Sequence, residues 1–204
     1  MKIALASASP RRAEILRNAG IPFAILPGSI DETYLPGEQA HEYVLRLARE
    51  KSCAAARTLG EMSEPAIVIA ADTTVAFGNE ILGKPTSAED ARRMLRMLCG
   101  HTHAVLTGLS VGRLPGSVEI SAVETTRVTF LPLSEDDISQ YISTGEPFDK
   151  AGAYGIQGIG GRYIERIEGC YFNVMGLPLS RLWRMLLELG WENARCPKPL
   201  VAGQ

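Results

Sequence analysis

One carboxylate interrupts an otherwise apolar run, Ala66-Ile67-Val68-Ile69-Ala70-Ala71-Asp72-Thr73-Thr74-Val75-Ala76-Phe77. Such a run reads as a buried strand. An aspartate there is disfavoured by propensity and costly to bury unless it is paired or coordinates a metal. Asp72 is therefore either a structural cap on a sheet edge, or a metal ligand or general base at a strand end, where α/β sheets place their ligands. In a regular strand Asp72 and Thr73 face opposite sides, so a ligand touching both would require the strand to end or bend between them.

Cations break local rules in the same way. After Ser7-Ala8-Ser9, Ser9 is placed to cap a helix and Pro10 fits its first position. Arg11 and Arg12 then fall in the first turn, where the helix dipole disfavours each by roughly 0.3–1 kcal/mol. A bound anion reverses that sign: free backbone N–H groups, the hydroxyls of Ser7 and Ser9 and two guanidiniums would together hold a phosphate. The alternative is two solvated arginines on an exposed turn. Lys51 lies on the stripe Ala40, Val44, Leu47, Ala48, Ala55, so its ammonium either snorkels outward or reaches a pocket that the helix borders.

Gly78-Asn79-Glu80-Ile81-Leu82-Gly83-Lys84-Pro85 imitates a Walker A loop, but Pro85 stands where a hydroxyl should meet magnesium. Gly78-Asn79-Glu80 reads instead as a turn between strands. Lys84 still precedes a helix whose Ser87 and Asp90 form an acidic capping box, and it can meet a phosphate as a point charge. Five glycines between Gly152 and Gly161 point to positive φ or close approach, or to a flexible loop. Within that stretch Gln157 offers a donor and an acceptor to an amide-like base edge. His101 and His103 would share a strand face, but a metal site there lacks a third ligand nearby in sequence. Cys53, Cys99, Cys170 and Cys196 have no zinc-site spacing.

The elements that must position these groups alternate. Strands are expected at about 2–7, 22–27, 66–77, 103–112, 117–130 and 163–168, and helices at about 10–18, 38–58, 88–98, 135–143 and 179–189. The pattern predicts an α/β fold with a mixed sheet, since the pair at 103–130 reads as an antiparallel hairpin. No linker or repeat divides residues 1–204, so one domain is expected, with two lobes around one cleft and a frayed tail from about 193 to 204. Twenty-one Lys and Arg stand against 23 Asp and Glu, a net charge of −2, which argues against an electrostatic grip on nucleic acid. No apolar run approaches the ~20 residues of a membrane span, and the first residues do not form a signal peptide. A soluble, cytoplasmic protein is expected.

Taken together, these segments closely resemble the Maf family of nucleoside triphosphate pyrophosphatases. The matching pieces are Ser7 to Arg12, Asp31-Glu32, Ala71-Asp72-Thr73, Leu82-Gly83-Lys84-Pro85, His103 to Gly108, Asp149 to Gly158 and Asn173 to Pro178. The resemblance implies a mixed central sheet flanked by helices around a deep cleft, similar to that of the inosine triphosphate pyrophosphatases. It implies hydrolysis between the α- and β-phosphates, giving a monophosphate and pyrophosphate. By carry-over, Asp72 is the proton acceptor. Ser7, Ser9, Arg12, Lys51 and Lys84 hold the triphosphate, and Glu32 with Asp72 binds a divalent cation, Mg or Mn. Arg11, Thr73 and Gln157 occupy the positions that separate the dTTP/UTP-preferring branch from the 7-methyl-GTP branch, and they read as the former. Family members are often homodimers. Other readings are a nucleotide-binding regulator of cell division without turnover, and an inosine/xanthosine triphosphate pyrophosphatase.

Overall fold

Alternation within strands and 3.6-residue stripes within helices produce a sheet covered on both faces. The computed structural model describes residues 1–59, 65–116 and 118–192; the expected frayed tail lies outside them. Seven strands form one sheet: β1 (Lys2–Leu5), β2 (Ala24–Ile25), β3 (Ala66–Phe77), β4 (Glu80–Leu82), β5 (Thr102–Leu114), β6 (Val118–Phe130) and β7 (Ile164–Glu168). Their order is β2-β1-β3-β5-β6-β7, with β4 added beside β3. β1 runs parallel to β2 and β3, and every other pairing is antiparallel. The expected mixed α/β sheet is present, β5 and β6 forming its central hairpin.

The helices are α1 (Pro10–Asn18), α2 (Ala40–Leu59), α3 (Ala88–Leu98), α4 (Glu135–Ser143), α5 (Tyr171–Met175) and α6 (Leu179–Glu188). Odd-numbered side chains of β3, including Ile67, Ile69 and Ala71, pack with Ile15 and Leu16 of α1 and Leu182 and Leu186 of α6. Even-numbered Val68 and Ala70 face the other way, against Ala55 of α2. At the far end of the sheet Val75, Val105, Val128 and Phe130 form a second core with Leu95 of α3 and Ile138 and Tyr141 of α4. The sequence pattern did not mark α5, because five residues are too few to show a periodic stripe.

Two expectations about local structure are corrected. Ser9 sits at the N-cap position of α1 in extended conformation, but its side chain makes no capping bond; the residue instead lines the cleft described below. Ser87 does cap α3 by accepting from Asp90 N, yet Asp90 reaches back to the backbone of Thr86 rather than of Ser87. A full reciprocal capping box occurs at Ser134 and Asp137 of α4.

A third correction concerns Asp72 and Thr73. The strand neither ends nor bends between them, since β3 stays paired with β5 from Ala66 to Ala76. On its other side, however, β1 accompanies it only to Ile69 and β4 joins only at Val75. Residues 70–74 therefore form a notch in the sheet edge, and a cavity entering the notch reaches both faces of the strand.

The distance between α2 and the sheet is set by Gly108, which pairs with Asp72 across the β3–β5 ladder. A methyl carbon built there would stand 2.1 Å from the Val44 carbonyl oxygen and 2.4 Å from its carbon. Backbone cannot yield as a side-chain tip can. Gly108→Ala is expected to destabilise the fold by at least about 2 kcal/mol through overpacking, measured by urea denaturation; an unchanged midpoint would contradict the contact.

Candidate active site

The notch opens into a cleft of about 610 Å³. All ten residues singled out from the sequence line it: Ser7, Ser9, Arg11, Arg12, Glu32, Lys51, Asp72, Thr73, Lys84 and Gln157. Loop, helix and strand each contribute. The turn after β1 brings the serines, the first turn of α1 the arginines, α2 brings Lys51, the segment after β4 Lys84, and the glycine-rich segment before β7 Gln157.

At the floor, the Lys51 ammonium lies 2.6 Å from Asp72 Oδ1 and 2.6 Å from Glu32 Oε1. Lys51 is 9% exposed and Asp72 8%. The stripe position of Lys51 thus leads inward, to a pair of carboxylates. Burial raises the Glu32 carboxyl, but the Lys51 hydrogen bond and charge, with Lys84 and Arg12 behind them, leave it below its ordinary range. Tyr43 closes this corner by donating to the Glu32 carbonyl over 3.0 Å. Burial together with the Asp72 and Glu32 charges pushes its phenol up to about 12.

On the opposite face of β3, Arg12 is held on three sides. Its Nε donates to Gly176 O at 2.7 Å, Nη1 to Ser7 Oγ at 3.0 Å and Nη2 to Thr73 Oγ1 at 3.0 Å. Burial lowers its pKa, Asp72 offsetting and Arg11 adding to the effect, and a guanidinium stays charged regardless. Arg11 reaches across the mouth to Asp149, 2.8 Å away. No hydrogen bond or ion pair to a described residue engages the Lys84 ammonium.

Sequence reasoning passed over Lys150 and Asp149 as site residues. Both line the cleft, and Lys150 Nζ donates to Glu146 O at 2.6 Å and Asp149 Oδ1 at 2.5 Å. Their signal was a charged pair entering the glycine-rich stretch. That stretch folds into short 3₁₀ turns fastened by Glu146, whose carboxylate accepts from Ile159 N, Gly160 N and Tyr141 Oη at 2.8–3.0 Å. The flexible-loop alternative is set aside on this network. The two histidines do not form a site: His101 is exposed and bonds Cys99 O, whereas His103 is buried with Nε2 2.7 Å from the Tyr154 hydroxyl. Among the described residues no group of three or more His, Cys, Asp or Glu is placed to hold a metal ion. Nor is any helix among them long and apolar enough to cross a membrane.

Five cations, Arg11, Arg12, Lys51, Lys84 and Lys150, thus face three carboxylates in one cavity of a chain whose net charge is −2. Fold and site together define an α/β protein with a cation-rich cleft at a notched sheet edge. The chain belongs to the family described as Maf-like protein, whose model matches residues 2–189. It is 49% identical over 192 residues to a protein of Anaeromyxobacter sp. (strain Fw109-5) named dTTP/UTP pyrophosphatase, covering 93% of this chain and 90% of that one. Proteins of the same name from Koribacter versatilis (48% identical, 93% and 95% covered) and Methylobacillus flagellatus (50%, 93% and 93%) are similarly related.

His103 braces the cleft-lining Tyr154, and burial drops its pKa from 6.5 to about 4. Between those values the unfolded chain binds the extra proton, so this histidine's contribution is complete above pH 6.5 and is lost as pH falls toward 4. Stability is expected to fall by on the order of 2–3 kcal/mol more in the wild type than in His103→Gln between pH 7 and pH 4. Denaturant melts of both proteins at the two pH values check this; parallel losses would contradict it.

Proposed function

We propose that this chain hydrolyses dTTP and UTP to the nucleoside monophosphate and pyrophosphate. The observation that carries the reading is the Lys51 ammonium held between Asp72 and Glu32 in a cleft lined by further cations. A triphosphate tail carries about four negative charges, and a nearly neutral protein can hold it only by concentrating cations locally. The names of the relatives at 48–50% identity, which cover more than nine tenths of this chain, support the substrate class.

In this mechanism Arg12, Lys51 and Lys84, with the hydroxyls of Ser7 and Ser9, hold the triphosphate. Asp72 takes the proton of the attacking water. Its Oδ1 is occupied by Lys51, and no hydrogen bond to a described residue reaches its other oxygen, which is left to accept the proton. The α–β anhydride bond breaks, and pyrophosphate leaves with its developing charge already met by the arginine and lysines. Arg11, Thr73 and Gln157 set base preference, the Gln157 amide pairing with the O4 and N3–H edge shared by thymine and uracil.

The residues also fit a divalent cation. Two hard carboxylate oxygens converge on one cationic position, now filled by an ammonium, and such donors suit Mg or Mn. Glu32 and Asp72 would hold the ion. When bound it would supply further neutralisation of the phosphate oxygens and a more acidic water. The cytoplasmic location and the homodimer expected from the family resemblance belong to the same proposal.

Incubation with dTTP, UTP, GTP, ITP and 7-methyl-GTP in magnesium, with products resolved by chromatography, tests the reading. Pyrophosphate and monophosphate from dTTP and UTP are expected. Release of orthophosphate, preference for another base, or binding without turnover would each overturn it. EDTA is expected to abolish turnover, and excess Mg or Mn to restore it. Asp72→Asn should lower kcat by at least ~100-fold with an unchanged circular dichroism spectrum; a near-normal rate would remove Asp72 from the chemistry.

A further inference from the structure

Thr107 is completely buried on β5 and is not part of the cleft wall. It pairs with Thr73 across the β3–β5 ladder, and their hydroxyl oxygens lie 2.9 Å apart. Thr107 Oγ1 also lies 3.2 Å from the Asn173 carbonyl oxygen, to which it donates. Each hydroxyl owns one proton. With Thr107's proton on Asn173 O, Thr107 accepts from Thr73, and Thr73 accepts from Arg12 Nη2 at 3.0 Å. The bonds run in one direction, from Arg12 through Thr73 and Thr107 to the backbone of α5.

That terminus is itself fixed. The Asn173 side-chain amide, fully buried, donates to Val105 O and Thr126 Oγ1, each at 3.0 Å, tying α5 to β5 and β6. Of the five N–H groups of Arg12, three are spent on Gly176 O, Ser7 and Thr73. The remaining two, one on each Nη, form the fork available to an anion.

We propose that Thr107 is a positioning residue for the Arg12 guanidinium, acting through Thr73; the inference rests on the reading of Arg12 as a phosphate-holding residue. Without the Thr107 oxygen, the acceptor left for the Thr73 proton is Gly176 O at 3.4 Å, the carbonyl that already takes Arg12 Nε. Competition there turns the fork away from the phosphates while leaving Asp72 and Lys51 in place.

The test is a double-mutant cycle on dTTP hydrolysis with Thr107→Val and Arg12→Lys, a lysine having no planar fork to orient. Thr107→Val is expected to raise KM by about fivefold to tenfold, the scale of one hydrogen bond, with kcat within about twofold of wild type. Thr107→Ser should restore the wild-type KM, and on the Arg12→Lys background Thr107→Val should add nothing. Where Thr107→Val does not fold, Thr107→Ala, which removes the same oxygen without adding bulk, takes its place in the cycle. A wild-type KM with only a lowered melting temperature, or an effect equally large on both backgrounds, would overturn the proposal. An unchanged KM in Arg12→Lys alone would bring down the phosphate reading of Arg12, and the positioning role with it.

Discussion

Asp72 and Glu32 place two carboxylates at the floor of one cleft, and the Lys51 ammonium stands between them, 2.6 Å from each. Desolvation makes the buried Lys51–Asp72 pair unforgiving. A charge withdrawn from water is tolerated only while its partner stays in hydrogen-bonding range, and removing one member leaves the other uncompensated. Lys51 is long and flexible, so its position depends on how closely its helix approaches the sheet. That approach is fixed two turns earlier, where the α2 backbone presses on Gly108. The absence of one methyl group on β5 thus governs the electrostatics on β3.

The same strand serves two chemistries because its edge is left open for five residues. Even-numbered Asp72 turns toward α2 and the lysine; odd-numbered Thr73 turns toward α1 and the arginine. Alternation normally separates such neighbours by the thickness of a sheet. Here β1 stops early and β4 starts late, and the cavity passes around the exposed strand to meet both.

Much of this was legible from residues that violate local preference. An aspartate in an oily strand, a lysine on an apolar stripe and two arginines at the positive end of a helix each signalled a compensating partner, and all of them line one cleft. Illegible were features decided by chain segments distant in sequence. Nothing near Asp72 announces that β1 ends at Leu5, and so a ligand reaching both Asp72 and Thr73 was expected to need a strand that ended or bent between them. Pro10 opens its helix as expected, but Ser9 promised a cap that its side chain does not make. Thr107 and Asn173 lay within segments that matched the family, but no role could be read for either, since their importance lies in meeting each other across 66 positions. Lys150 was hidden by its setting, in a stretch whose glycines drew the reading to backbone conformation or a flexible loop rather than to its charges.

That wall has a consequence for recognition. Glu146 gathers two amides and a phenol from across the segment, so the strip carrying Gln157 is an arch with a keystone rather than a flap. An arch of this kind is already set before any guest arrives. The entropic toll of freezing a loop is settled during folding and is not charged again to each encounter.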